Sequence, residues 1–291
     1  MSSLDSKIGT HHQVEGVNHF ALVGSQRSGT NFLRELLNTN PPTVVHGEVM
    51  LPYPLPITWH NFLRTMAGPR VPPVTKEDAI ALVDEYLVFS VADTRRGYVG
   101  KSGELKAIGF DIKYNQLRFI APVLWDLRDP PFLFEYMRLR NIPILHMQRR
   151  NALHQALSIA IAEARGVYHN YGRKVDSGRV AIDPDRLLGH LQWVVEEAAS
   201  FRALAHGIDL LDVYYEDLVE ECNAALPDGK LRVESRLMDR IRQFLGVYNS
   251  FSRPMSLKKV IDRPYAEVLE NYEAVLTAVR KSPFEQMAAS I

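Results

Sequence analysis

The chain has 291 residues, 46% of them hydrophobic, which supports one large buried core and excludes a disordered or low-complexity protein. Lys+Arg and Asp+Glu balance at 34 each, so no net charge draws the chain to nucleic acid or to an anionic membrane surface, and any anion site has to be local. The single cysteine, Cys222, cannot close an internal disulfide, and no apolar run reaches the ~20 residues needed to cross a bilayer. The polar opening segment has no apolar signal region. These features predict a cytoplasmic protein with a flexible segment over 1–16 and a single domain over 17–291.

In chain order, His19-Phe20-Ala21-Leu22-Val23 is an apolar run ending in Gly24, after which Phe32, Leu33, Leu36 and Leu37 recur at helical spacing. Strand, glycine loop and helix are expected there. Thr43-Val44-Val45-His46 reads as a second strand, with Glu48 just beyond it. The proline-rich stretch 51–73 reads as a lid or a substrate wall, and Thr75 caps an expected helix over 76–89. Ala107-Ile108-Gly109-Phe110-Asp111-Ile112 and Pro143-Ile144-Leu145-His146-Met147 are short buried strands, the latter leading into a helix over 152–163. A mobile loop is expected over 168–180. Asp183-Pro184 opens a long helix to about 205, and Ile208-Asp209-Leu210-Leu211-Asp212-Val213 closes the set of strands. Strands interleaved with helices predict an α/β, P-loop-like three-layer fold, with a mostly parallel central sheet flanked by helices. The strand order is not readable.

Gly24-Ser25-Gln26-Arg27-Ser28-Gly29-Thr30 lies between an apolar strand and an amphipathic helix, where successive backbone N–H groups and a helix N-terminus wrap an anion. Gly24 allows the tight exit from the strand and Gly29 the close approach of backbone to phosphate. Ser28 and Thr30 add hydroxyl donors, and Arg27 a charged one. The spacing equals that of the nucleotide-binding G-x-x-x-x-G-K-[ST] loop, but Thr30 and Asn31 stand where lysine and the metal-binding hydroxyl belong. A P-loop kinase or NTPase therefore lacks its lysine here. An ordinary strand-to-helix glycine turn and a non-catalytic nucleotide-binding scaffold are the other readings.

A second segment, Gln148-Arg149-Arg150-Asn151, follows the strand at 144–147, and Ser158 stands eight positions after Arg150 on the next helix. An arginine before a helix and a serine two turns in converge on one anion only if the chain bends between them. Each alone reads as ordinary, Arg150 as a surface ion-pair partner and Ser158 as filler.

Together the two segments resemble the PAPS-dependent sulfotransferases, in which an Arg/Lys-Ser-Gly-Thr loop binds the 5′-phosphosulfate and an Arg, with a Ser eight residues later, binds the 3′-phosphate. Val213-Tyr214-Tyr215-Glu216-Asp217-Leu218 is similar to the Tyr-Glu-Asp-Leu stretch of that family, and Ile241-Arg242-Gln243-Phe244-Leu245-Gly246-Val247 to the helix that follows it. The resemblance covers about 18–272. Gly109-Phe110-Asp111-Ile112-Lys113-Tyr114 and the segment 253–272 resemble the bacterial carbohydrate enzymes of the trehalose and nodulation-factor type. Gln26 stands in place of the usual proline, and the glycine-rich C-terminal cofactor motif of the phenol-type enzymes is not recognisable.

The resemblance implies PAPS (3′-phosphoadenosine 5′-phosphosulfate) as sulfuryl donor, PAP as product and no metal. It implies cofactor contacts from Gln26, Arg27, Ser28, Gly29, Thr30, Asn31, Arg150 and Ser158, with Lys258 added from the C-terminal segment. The acceptor is a hydroxyl-bearing small molecule or glycan, with no nucleic-acid partner and no membrane span. A homodimer is the assembly expected, although no heptad array marks its interface. Sulfuryl transfer spreads charge over oxygens in line, as phosphoryl transfer does, so Arg27 serves as a catalytic cation. The acceptor hydroxyl needs a base, and Glu48, at the carboxyl end of a strand, is the candidate. Glu48 also reads as a loop residue or as a partner of Arg27, and His46, His154 and Lys113 stand in reserve.

Overall fold

The computed structural model describes residues 12–39, 42–51, 55–65, 75–98, 104–121, 124–125, 130–166, 178–223, 236–247 and 263–291. The first half runs β1 (Gln13–Val14), β2 (Val17–Gly24), α1 (Thr30–Asn38), β3 (Thr43–His46), α2 (Trp59–Thr65), α3 (Lys76–Tyr98), β4 (Ala107–Lys113), a 3-10 turn (Tyr114–Arg118), β5 (Phe119–Ala121) and β6 (Leu124–Trp125). It continues with α4 (Phe132–Leu139), β7 (Ile144–Gln148), α5 (Ala152–Arg165), α6 (Pro184–Leu204), β8 (Leu210–Tyr214), α7 (Tyr215–Asn223), α8 (Arg236–Leu245), α9 (Tyr265–Val268), α10 (Tyr272–Arg280) and a closing 3-10 turn (Glu285–Ser290).

The central sheet has the order β3-β4-β2-β7-β8, with all four pairings along it parallel. β1 adds a short antiparallel pairing, Gln13 opposite Asn18. This is the α/β architecture with a mostly parallel sheet and helices on both faces that the alternation predicts. From β2 the chain crosses to β3 and β4 on one side, then to β7 and β8 on the other. The order reverses at β2, and the crevice beyond the carboxyl ends of open parallel strands is where such folds take ligands.

Both faces of the sheet are covered, and β2 and β4 are buried at nearly every position rather than at alternate ones. On one face Ala21, Val23, Ile108, Phe110 and Ile112 pack against Val83, Tyr86 and Leu87 of α3 and against α4. On the other, Phe20, Leu22, Leu145 and Met147 pack against Leu33, Leu36 and Leu37 of α1 and against Met238 and Ile241 of α8. A third cluster joins α5, α6 and α10 through Leu157, Leu191 and Val275. Among the described residues no helix is long and apolar enough to cross a membrane.

Two boundaries differ from expectation. α3 runs to Tyr98 rather than ending near Phe89, because the residues beyond still have buried places: Ser90, Val91 and Thr94 are 0%, 0% and 6% exposed. β7 begins one residue after Pro143, which has no N–H for the ladder but whose carbonyl accepts from the Ala21 amide at 3.0 Å.

Candidate anion site at the end of β2

The loop between β2 and α1 holds its shape through its own atoms. Ser28 donates from its hydroxyl to the Ser25 carbonyl at 2.8 Å. Arg27 (φ 59°) and Gly29 (φ 107°) both lie in the left-handed region. At Gly29 only glycine fits, since a Cβ would lie 2.5 Å from Cδ2 of Tyr215 and 2.8 Å from Cε of Met147. Two successive left-turning residues around Ser28 curl the backbone so that neighbouring N–H groups can share one anion at the start of α1. Inside the loop, Ser25 is 4% exposed and its Oγ has no hydrogen-bond partner among the described residues.

α5 supplies the rest of the frame. Arg27 Nε donates to Ser158 Oγ at 3.0 Å across 131 positions, and Gln155 Nε2 donates to the Gln26 carbonyl at 2.7 Å. Asn151 caps α5 by accepting from the amides of Leu153 and His154, which fixes where the helix begins and hence where Ser158 falls. The Arg27 guanidinium sits below its ordinary pKa, chiefly through burial and then through the nearby Arg149 guanidinium.

Lys113, at the end of β4, also reaches the loop. Its Nζ donates to Thr30 Oγ1 and, at 2.7 Å, to Asp111 Oδ1. Asp111 is fully buried and is approached from its other oxygen by Arg34 at 3.5 Å. A lysine thus serves the loop from another strand, where the sequence shows none following Gly29.

Glu48 is half-buried at φ 38°, just past β3. It accepts from Gln116 Nε2 at 3.3 Å, while Gln116 Oε1 accepts from the Lys113 amide at 3.0 Å. The chain Glu48–Gln116–Lys113–Thr30 therefore ties the carboxylate to the loop. Behind it, Val49, Met50, Trp59, Tyr86, Phe110 and Ile112 line a wholly apolar cavity of about 50 Å³. Trp59, 4% exposed, is a core residue there.

The three reserve groups have structural occupations. Lys113 Nζ is held between Thr30 Oγ1 and Asp111 Oδ1. His46 Nε2 lies 2.8 Å from Thr94 Oγ1, and burial holds its pKa down at about 4. His154 Nε2 lies 2.8 Å from the Ser290 carbonyl.

Arg150 and Ser158 each have partners within the protein. Arg150 bonds Asp217 through Nε at 3.2 Å and Nη2 at 2.6 Å, lies over the Tyr214 ring at 4.1 Å, and donates its amide to Glu216. Gln26 is exposed with its carbonyl held, and Asn31 is half-buried in the first turn of α1. Lys258 lies outside the described residues, as do 52–54 and 66–73 of the proline-rich stretch and 168–177 of the loop expected at 168–180.

Residues the sequence did not single out complete the surroundings. Arg149 stacks over Tyr215 at 4.4 Å. A buried chain also crosses the middle of β7 and β8. His146, 0% exposed, has Nε2 2.6 Å from Tyr114 Oη and Nδ1 2.8 Å from Asp212 Oδ1, and Asp212 accepts from Gln148 and Arg202 as well. Burial keeps His146 below its ordinary pKa despite Asp212. The neutral ring accepts from the tyrosine and donates to the carboxylate, which locks the turn after β4 to β7 and β8. Only the polar residues His146 and Asp212 in the middle of otherwise apolar runs hint at this in sequence.

No protein-family profile matches the chain and no curated protein matches it. Among solved structures it is similar to the sulfotransferase domain from the Synechococcus PCC 7002 olefin synthase, at 15% identity, 98% coverage of each chain and a TM-score of 0.41. A likeness at that level carries no functional argument.

Proposed function

We propose that this chain transfers a sulfuryl group from PAPS to the hydroxyl of a carbohydrate or other alcohol. The observation that carries the reading is the Arg27–Ser158 hydrogen bond: it joins, at the end of β2, the two segments whose sequence resembles the sulfotransferase cofactor motifs. The loop amides, Ser28, Gly29, Thr30 and Asn31 hold the 5′-phosphosulfate, and Arg27 neutralises charge on the bridging oxygen as the bond from sulfur to that oxygen breaks. Arg150 meets the 3′-phosphate by exchanging its bond to Asp217, and Lys258 joins from the C-terminal segment. Glu48 takes the acceptor's proton as the new bond from oxygen to sulfur forms, and PAP leaves with the electron pair of the broken bond. Gln116 orients the carboxylate, and the acceptor approaches from the β3–β4 side.

The lysine brought to Thr30 by Lys113 favours a second reading, a nucleotide kinase whose loop lysine comes from β4. Its weakness is Asp111. The acid that would hold magnesium is fully buried and already neutralised by Lys113 and Arg34. Incubation with sulfur-labelled PAPS and a panel of sugars and alcohols tests the choice. Labelled product with stoichiometric PAP is expected. Label passing from ATP to acceptors, with none from PAPS, would overturn the assignment.

A further inference from the structure

Arg149 and Arg150 leave the end of β7 in succession, and their circumstances are opposite. Arg150 is exposed and satisfied by both oxygens of Asp217. Arg149 is half-buried, its Nε is shut away from solvent with no hydrogen-bond partner, and among the described residues it has no carboxylate partner. The two guanidinium groups rest on different rings, Arg150 on Tyr214 and Arg149 on Tyr215, and Arg149 is the one that faces the loop. Its guanidinium rests on Tyr215, the ring that closes against Gly29, and its charge is felt at Arg27.

Two guanidinium groups held close in a partly buried site repel, and a buried N–H left unpaired is destabilising. Both penalties vanish when an anion with several oxygens lies between them, because each planar fork offers parallel donors to such a group. The unpartnered Ser25 hydroxyl inside the loop is a further donor for the same anion.

We propose that Arg149 is a binding residue for the 5′ anionic group of the nucleotide, gripping it opposite Arg27 over the 24–30 loop. This rests on the reading of the loop as a phosphosulfate seat. Arg150, resting on Tyr214, contacts only a 3′-phosphate. The pair of arginines therefore reads the two ends of one bisphosphate separately.

Calorimetric titration of the full chain with PAP and with 5′-AMP separates the roles. Arg149→Gln is expected to weaken both ligands by the same factor, about 10- to 100-fold, with partial recovery in Arg149→Lys. Arg150→Gln is expected to weaken PAP alone. Unchanged affinity for both ligands in Arg149→Gln, or a loss confined to PAP, would overturn the proposal. Should the wild-type chain bind neither nucleotide, the PAPS reading fails, and inorganic pyrophosphate probes Arg149 by itself. Weaker pyrophosphate binding in Arg149→Gln then supports the role, while equal binding, or none to the wild type, removes it. Thermal melting of each variant identifies loss by unfolding, and Arg149→Lys, which keeps the stack on Tyr215, supplies the reading if Arg149→Gln does not fold.

Discussion

The two flanks of the carboxyl end of β2 are built in different ways. On the loop flank the shape is fixed by left-handed turns at Arg27 and Gly29, by Ser28 bonding Ser25 within the loop, and by two side chains of a capped helix. On the β3–β4 flank Glu48 hangs on a 3.3 Å bond from Gln116, beside an apolar cavity of about 50 Å³. The loop flank is preorganised for a ligand of fixed geometry. The other has one polar handle set over buried apolar core side chains.

The largest effect that should separate the flanks is on rate. Arg27→Ala is expected to lower kcat about 10²- to 10³-fold, with a smaller change in PAP affinity, because its charge matters most as the leaving group forms. Equal losses in kcat and in PAP affinity would make it a binding group only. Next, Glu48→Gln should cost about 10²-fold in turnover and leave PAP affinity unchanged. Near-normal turnover with the preferred acceptor would remove it as the base.

Acid sharpens the contrast through stability. His19 and His46 are held neutral by burial, with pKa values pushed from 6.5 to about 3 and about 4. The unfolded chain binds their protons first, so their contribution is complete above about pH 6.5 and falls as the pH drops through that value toward 4 and 3. At pH 5 each should cost on the order of 2 kcal/mol. His46 lies on β3, two residues before Glu48, so the acceptor flank should loosen with it. Urea titrations at pH 7.5 and 5.0 should show this, and His46→Gln should flatten part of the dependence; a midpoint independent of pH would contradict the account. The smallest effect belongs to Gln116→Ala, expected to lower kcat about 3- to 10-fold by freeing Glu48 while nucleotide binding stays intact. A drop in nucleotide affinity of the same size would place Gln116 on the loop flank instead.

What could be read from the sequence follows the same division. The strands at 17–24, 43–46, 107–113, 144–148 and 210–214 announce themselves because each is built around a short apolar run, and the glycine loop because its spacing is local. α2 and α4 were not anticipated: both are short, and they bury Trp59, Phe62, Phe132 and Phe134 without a long periodic pattern. Strand order is a property of crossovers and leaves no local mark. The Gln116 contact to Glu48 spans 68 positions and the Lys113 contact to Thr30 spans 83, so neither residue type at its place predicts its partner. Arg149 escaped for a different reason. Beside Arg150 it is the same residue one step along the chain, and only the geometry at the end of β7 distinguishes the satisfied guanidinium from the unsatisfied one.

The central claim is that the loop at 24–30 receives a 3′-phosphorylated adenine nucleotide rather than a magnesium triphosphate. Calorimetric titration of the same protein sample with PAP and, separately, with ATP plus magnesium tests it most directly. The account predicts selective binding of PAP; selective binding of the magnesium triphosphate would contradict it.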